Sequence, residues 1–198
     1  MDACRMVATN GGYASVGGSD ISGLRAKLRG PLVQAGESGY EEARTLFNAL
    51  IDRRPALVAC CHGAADVIAA VNFARDHDVL VAVKGDGHGI AGNAVCNGGL
   101  LIDMSHMRSI RVDLTGLTVR AEPGVLGAEL DRETQSFGLA TPVGTVSTTG
   151  IAGLTLGGGQ SWLASKYGFA IDNLLSVDIV TADGALRTAS ATRNEDLF

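Results

Sequence analysis

The sequence has no apolar run long enough to cross a membrane. A membrane-spanning helix needs roughly 18 or more consecutive apolar residues, and no stretch of the 198 residues approaches that length. The first residues, M-D-A-C-R-M-V-A-T-N-G-G-Y, also lack the charged segment and apolar core of a secretion signal. These absences predict a cytoplasmic protein that has no membrane partner.

The sequence also lacks any block of charge of one sign. Its 16 basic and 21 acidic residues are interspersed, and the net charge is −5. Without a basic stripe there is no electrostatic footprint for nucleic acid, so we expect no nucleic-acid partner. A hydrophobic content of 46% with 27 glycines indicates a globular chain rich in turns, for which a small-molecule ligand is the better expectation.

Cysteine is scarce and unpatterned. Cys4, Cys60, Cys61 and Cys96 form neither a C-x-x-C pair nor the spacing of a zinc site. Neither a disulfide framework nor a metal site is indicated, and buried or half-buried free thiols are expected.

The first half of the chain alternates helical and strand patterns. Residues 10–23 are mostly Gly, Ser and Ala, with too little apolar surface to fold on their own, and residues 1–23 are predicted to be a disordered tail. Apolar spacing predicts helices over 40–51 and 64–76, and the run P-A-L-V-A-C-C after Arg54 predicts a buried strand. A further strand is predicted over 79–83.

The second half continues the mixture of strands and helices. Strands are predicted over 99–103, 118–121 and 175–181, and a helix over 125–137. The order predicts an α+β fold with α/β-like layers, in which ligands bind at the carboxyl ends of strands.

A glycine-rich loop with one histidine follows the strand predicted over 79–83. Residues 83–92 read V-K-G-D-G-H-G-I-A-G. Glycines allow positive φ and close approach of a ligand, and the imidazole of His88 supplies a nucleophilic nitrogen or a metal ligand. A phosphate cradle beside a reactive imidazole would suit a flavin, whereas the plainer alternative is a tight surface turn with an incidental histidine.

The same loop matches the G-x-G-x-x-G of a Rossmann nicotinamide-binding site at 87–92, with Asp103 as the downstream acidic residue. The segment N-A-V-C-N-G-G at 93–99 leaves no room for the crossover helix that such a site requires. A nicotinamide site therefore stays a remote alternative. A P-loop is excluded because no G-K-[ST] follows the glycines.

A second glycine cluster, V-G-T-V-S-T-T-G-I-A-G-L-T-L-G-G-G, occupies residues 143–159. Its hydroxyl side chains can donate to phosphate or ring heteroatoms, and its glycines keep the backbone within contact range of a ligand. The alternative is that these glycines only allow elements to pack closely.

A series of ordered motifs runs from about Arg29 to Phe198. They are G-Y-E-E-A-R at 39–44, I-D-R-R-P-A-L at 51–57, the G-x-G-H loop at 85–88, L-I-D-M-S-x-M at 101–107, E-P-G-V at 122–125, the glycine cluster from 144 to 159, W-L-A-S-K-Y-G at 162–168, D-N-L-L-S-V-D-I-V-T-A-D-G at 172–184 and N-E-D-L-F at 194–198. This series resembles the FAD-linked oxidases that share the flavin-binding domain of p-cresol methylhydroxylase and vanillyl-alcohol oxidase, in the berberine bridge enzyme-like branch.

The resemblance implies a bipartite p-cresol methylhydroxylase-type FAD-binding domain over 24–198, incomplete at the C-terminus. Subdomain one would span about 29–105 and subdomain two about 106–198, and the substrate domain would be absent. A sheet that ends within a domain leaves edge strands without partners, so marginal stability, aggregation or self-association through the exposed sheet edge is expected.

The resemblance also implies FAD as cofactor, attached covalently through His88 at the flavin 8α-methyl group. Val146 stands where some members carry a cysteine that forms a second flavin bond, so attachment through His88 alone is expected. The residues implied to bind the cofactor are Lys84, Gly85, Asp86, Gly87, His88, Gly89, Ile90, Gly92, Thr145, Thr148, Thr149, Gly150, Gly153, Gly157, Gly158 and Ile179.

Two positions depart from the family pattern. Asp86 replaces a common glycine, and Gly89 stands where serine is frequent. A carboxylate at position 86 would be repelled by a pyrophosphate unless it faces solvent or neutralises Lys84, and glycine-only backbone angles would strain an aspartate. Trp162 and Phe169 are expected to pack against the protein.

The implied activity is oxidation of an alcohol, sugar or amine carbon by hydride transfer to flavin, with molecular oxygen as acceptor and an unidentified small molecule as substrate. No catalytic acid or base is assigned, and Tyr167 and Asp172 are expected to be structural. The alternative is a truncated homologue that binds flavin but catalyses nothing.

Overall fold

The computed structural model describes residues 3–198, which form ten strands and six α-helices. In chain order the elements of the first half are β1 (Cys4–Val7), β2 (Tyr13–Val16), α1 (Gly18–Lys27), β3 (Leu32–Val33), α2 (Tyr40–Arg44), β4 (Leu57–Cys60), α3 (Ala64–Asp76), β5 (Val81–Lys84) and β6 (Leu100–Asp103). Those of the second half are β7 (Ile110–Asp113), β8 (Thr118–Ala121), α4 (Gly127–Gln135), α5 (Ile151–Leu156), α6 (Ala164–Tyr167), β9 (Ser176–Val180) and β10 (Leu186–Ser190). The predicted α+β class is confirmed.

A four-stranded sheet in the order β3-β4-β6-β5 organises the first half of the chain. Strands β4 and β5 both run parallel to β6, and β3 is antiparallel to β4. All residues of β4 and β6 are buried because apolar clusters cover both faces of the sheet. Two-sided burial is the reason that these strands read as continuous apolar runs in the sequence.

The N-terminal segment is folded, so the predicted disordered tail over 1–23 is wrong for the residues that the structure describes; Met1 and Asp2 lie outside them. Strands β1 and β2 pair as a hairpin and lead into α1. Four apolar residues of this region, Met6, Val16, Ile21 and Leu24, are buried in the core. Low apolar content misled the prediction because the hairpin gains its burial from the distant sheet, to which Val7 hydrogen-bonds at Gly98 and Leu80.

Most other predicted elements lie where expected, and α3 and β8 match their predicted bounds. The helix predicted over 40–51 is wrong beyond Arg44, because α2 ends there and Thr45 has an extended backbone. Of the apolar residues that suggested a longer helix, Leu46 and Phe47 contact the loop after β5, whereas Leu50 is 92% exposed.

The remaining strands form separate antiparallel hairpins, β7–β8 and β9–β10. Strand β9 contacts α3, and the guanidinium of Arg75 donates to the carbonyl of Asp183 in the turn before β10. Among residues 3–198, no helix has the length and apolar character that a bilayer crossing requires.

Tyr40→Phe should lower the free energy of unfolding by about 1 to 2 kcal/mol, because the buried Tyr40 hydroxyl donates to the carbonyl of Pro55 at 2.6 Å and phenylalanine would leave that carbonyl unpaired. The matched control is Tyr13→Phe, since Tyr13 is 63% exposed and its ring would still lie against the Arg5 guanidinium. Urea unfolding measures both variants. Equal stability losses in the two would contradict a contribution from the Tyr40 hydrogen bond.

Candidate functional site

The histidine loop, defined as residues 85–92, leaves the carboxyl end of β5 and is shaped by its glycines. Gly87 and Gly92 have φ of +86° and +74°, which disfavour any other residue. A Cβ at Gly85 would lie 2.9 Å from the carbonyl oxygen of Pro123. The protein's own backbone and packing therefore require these three glycines.

The segment 45–51 braces the histidine loop. The amide of Phe47 donates to the Gly87 carbonyl at 3.2 Å, and the Asn48 side chain donates to the Ile90 carbonyl at 2.9 Å. Just beyond it, Arg53 donates to the carbonyl of Gly92 at 2.8 Å. The sequence did not indicate that this segment supports the histidine loop, because the same apolar spacing fits both a helix and an extended segment that packs against a loop.

The threonine loop, defined as residues 143–159, is fixed to the start of α4. The amides of Gly127 and Ala128 donate to the carbonyls of Thr149 and Ser147 at 3.0 and 2.9 Å. Gly144, with φ of +99°, would place a Cβ 2.5 Å from the Leu154 side chain. The loop is therefore held by backbone hydrogen bonds, and its hydroxyl side chains stay exposed at Thr145, Ser147 and Thr148.

The two loops meet at His88. Its Nε2 lies 3.3 Å from the hydroxyl of Thr148, and its ring stacks on Phe47 with centroids 3.9 Å apart and 15° between planes. A Cβ at Gly150 would lie 2.6 Å from the Cβ of Asp86, so the close packing of the two loops requires glycine at position 150. The imidazole is thereby fixed in position from both sides while it remains half-buried.

Three glycines of the two loops face open space. A Cβ at Gly89, Gly153 or Gly158 would meet no atom within 4 Å. At Gly89 and Gly153 φ is not positive either, so neither packing nor backbone angle requires glycine there. Glycine at such positions lets a bound molecule touch the backbone. The loops thus fit a nucleotide cofactor of the kind that the sequence suggested.

Asp86 is better accommodated than the sequence suggested. Its φ is not positive, so the expected backbone strain is absent. Lys84 does not neutralise it, because the Lys84 ammonium lies 3.2 Å from Oδ2 of Asp103 and donates to the Ala43 carbonyl. The Lys84 side chain is buried in these contacts.

The other predicted site residues fall into two groups. Ile90, Thr145, Thr148 and Gly157 are exposed on the two loops, and Thr149 is partly buried beside them. Ile179 lies in β9, whose hairpin has no hydrogen bond to either loop within residues 3–198. The structure therefore brings the two loops together, and no contact found among the described residues joins Ile179 to them.

Three further residues clarify the surroundings of the loops. Trp162 was expected to pack against the protein, but it is 81% exposed. The Asp172 carboxylate accepts from the Phe169 amide at 2.8 Å, which is a structural contact. Cys96 is a buried free thiol whose pKa is raised by burial, as expected of a structural cysteine.

Comparisons with known proteins connect these loops to flavin chemistry. A family model described as an FAD binding domain matches residues 55–190. The chain is 38% identical over 182 residues to the FAD-linked oxidoreductase pgmH of Aspergillus terreus, covering 90% of this chain and 37% of that protein. It is 34% identical over 171 residues to (R)-6-hydroxynicotine oxidase of Paenarthrobacter nicotinovorans, covering 86% of this chain and 37% of that protein.

Solved structures show the same fold. The crystal structure of 6-hydroxy-D-nicotine oxidase from Arthrobacter nicotinovorans superposes with a TM-score of 0.83 at 34% identity, covering 86% of this chain and 38% of that one. A carbohydrate oxidase from Microdochium nivale superposes with a TM-score of 0.84 at 29% identity, covering 91% of this chain and 39% of that one. The chain thus spans less than two fifths of the length of these relatives.

Proposed function

The chain belongs to the FAD binding domain family, and we propose that it is the FAD-binding part of an oxidoreductase that oxidises an alcohol, sugar or amine carbon with molecular oxygen as acceptor. The main support is that the histidine and threonine loops contact each other at His88, beside glycines that face open space. The domain would extend to the N-terminal hairpin, since residues 4–27 pack on the same core.

We further propose that the cofactor is attached covalently through His88 alone. Nε2 of His88 faces the Thr148 hydroxyl, and Nδ1 has no hydrogen-bond partner within residues 3–198. If Nε2–H donates to Thr148, the lone pair resides on Nδ1, which makes Nδ1 the nucleophile. Thr148 would select this tautomer, and Phe47 would hold the ring plane.

Bound FAD would supply an electrophilic carbon at its 8α-methyl group and would accept the two electrons released when the C–N bond replaces a C–H bond and the imidazole N–H, with both protons passing to solvent. The chain supplies the nucleophile, its orientation and the glycine backbone that lets the cofactor approach. No cysteine occurs in the threonine loop for a second bond. The exposed hydroxyls of Thr145 and Thr148, the partly buried Thr149 and the backbone at Gly89, Gly153 and Gly158 are the proposed cofactor contacts.

The substrate is proposed only by class. The relatives are named for oxidation of hydroxynicotine and carbohydrate, which are small molecules with an oxidisable carbon next to nitrogen or oxygen. No catalytic base is assigned to residues 3–198. The substrate-selecting groups would lie in the portion of the relatives that this chain does not span.

The test is expression with FAD available, followed by acid precipitation. We expect yellow protein whose flavin stays in the precipitate, because a covalent bond survives unfolding. Colourless protein would contradict the proposed function, and tight NAD binding without flavin affinity would favour the nicotinamide alternative. Retained flavin without oxygen consumption on an alcohol, sugar and amine panel would identify a flavin-binding homologue that is inactive.

A further inference from the structure

Three potential metal ligands of different chemistry converge beside the central sheet. Cys60 is the last residue of β4, Asp103 is the last residue of β6, and the two are partners in the parallel register. His106 follows in the turn after β6. Their ligand atoms, the Cys60 sulfur, an Asp103 oxygen and a His106 ring nitrogen, all lie within 4.8 Å of one another.

We propose that Cys60, Asp103 and His106 bind a thiophilic divalent cation of the zinc class. Thiolate, carboxylate and imidazole are the three side-chain ligands that zinc takes, and three protein ligands leave a fourth position for water or another molecule. Cys60 and Asp103 are buried, whereas His106 is exposed, so the cluster has a solvent-facing side through which a cation can enter.

The surroundings of Asp103 permit a cation. Its Oδ2 faces the Lys84 ammonium at 3.2 Å, and its Oδ1 accepts from the Ser105 amide at 3.0 Å. A carboxylate has about four lone-pair positions, so these two contacts leave room for a metal bond. Lys84 also donates to the Ala43 carbonyl, so its ammonium is fixed by two protein contacts.

Cys60 must lose its proton for the cation to bind. Burial, with a further contribution from the negative charge of Asp103, raises the pKa of the Cys60 thiol to about 11. The thiol is therefore protonated in the metal-free protein at neutral pH, and binding replaces the S–H bond by a sulfur–metal bond while the proton passes to solvent. The Lys84 ammonium and the cation together would stabilise the thiolate.

His62 supports the orientation of His106. The two imidazoles stack with centroids 5.2 Å apart and an angle of 5° between planes. His62 does not belong to the group of three whose ligand atoms converge. We therefore assign His62 a positioning role, in which stacking restricts the His106 ring without contributing a metal bond.

The test is titration of the 198-residue chain with cobalt(II), a spectroscopic substitute for zinc, followed by displacement with zinc. We expect a thiolate-to-cobalt charge-transfer band that saturates at one equivalent and disappears when zinc is added. Cys60→Ser should abolish the band, and His106→Asn should weaken binding by at least about 100-fold, since even outer-shell changes cost 10- to 100-fold. His106 is exposed, so its replacement leaves the core intact.

The matched control is Cys61→Ser, because Cys61 is buried in the cluster on the opposite face of the sheet and should leave the band unchanged. A missing band in the unaltered chain would overturn the proposal. So would a band that persists in Cys60→Ser or disappears in Cys61→Ser, since either result would place the bound cobalt elsewhere.

Discussion

Replacing His88 with alanine is expected to remove all acid-stable flavin from the protein. His88 is the nucleophile in the proposed attachment, and the threonine loop offers no cysteine as a second one. The glycines that face open space at positions 89, 153 and 158 remain in the variant, so FAD should still bind without a covalent bond. After acid precipitation the flavin should be found in the supernatant, measured by its absorbance against total protein.

His77→Ala is the matched control for this experiment. His77 ends α3 and contacts Phe73 rather than either glycine loop, so its removal should leave flavin in the precipitate. Acid-stable flavin in His88→Ala would contradict attachment through His88. Loss of attachment in both variants would point to impaired folding and would equally remove support for a direct role of His88.

Lys84→Met is expected to lower the free energy of unfolding by about 3 to 5 kcal/mol, because it leaves the Asp103 carboxylate buried without its counter-charge. The side chains of Lys84 and Asp103 are only 6% and 1% exposed, and their charged atoms lie 3.2 Å apart. Methionine preserves the length and apolar stem of lysine, so lost packing contributes little. Urea unfolding with an unchanged m-value would measure the loss as one of stability.

A surface ion pair provides the comparison. Arg120→Met removes a partner of Asp178 in a pair that is 81% and 39% exposed, and should cost less than about 1 kcal/mol. Adding Asp103→Asn to Lys84→Met should recover part of the loss, because the unpaired charge is then gone. A Lys84→Met variant as stable as Arg120→Met would show that the buried pair contributes no more than a surface contact.

The spacing of apolar residues predicted the helices and strands whose apolar faces are evident within a short stretch of sequence. The apolar residues of helix α3 recur at helical spacing, and β4 and β6 are largely apolar because both faces of the sheet are covered. The N-terminal hairpin could not be predicted from apolar spacing. Its strands are short and polar on the outer side, and they are stabilised by hydrogen bonds to residues more than 70 positions away.

The part of the candidate site that consists of glycines and His88 could be predicted from the sequence. The two glycine-rich segments and His88 stand out in the sequence, and the structure brings them together. The contribution of Phe47 could not be predicted, because it depends on α2 ending at Arg44 and on the chain turning towards the histidine loop. The burial of Lys84 was equally hidden, since Asp103 becomes its partner only when β5 and β6 pair.

The contact between Asp86 and Gly150 restricts the order in which substitutions at these positions can accumulate. A side chain at position 150 would collide with the Asp86 Cβ at 2.6 Å, whereas the backbone of Gly150 is of a kind that any residue adopts. With glycine at position 86, the tightest remaining approach would be 3.3 Å, to the amide nitrogen. Alanine at position 150 therefore requires that the aspartate first be replaced by glycine, because any other residue at position 86 keeps the Cβ that collides.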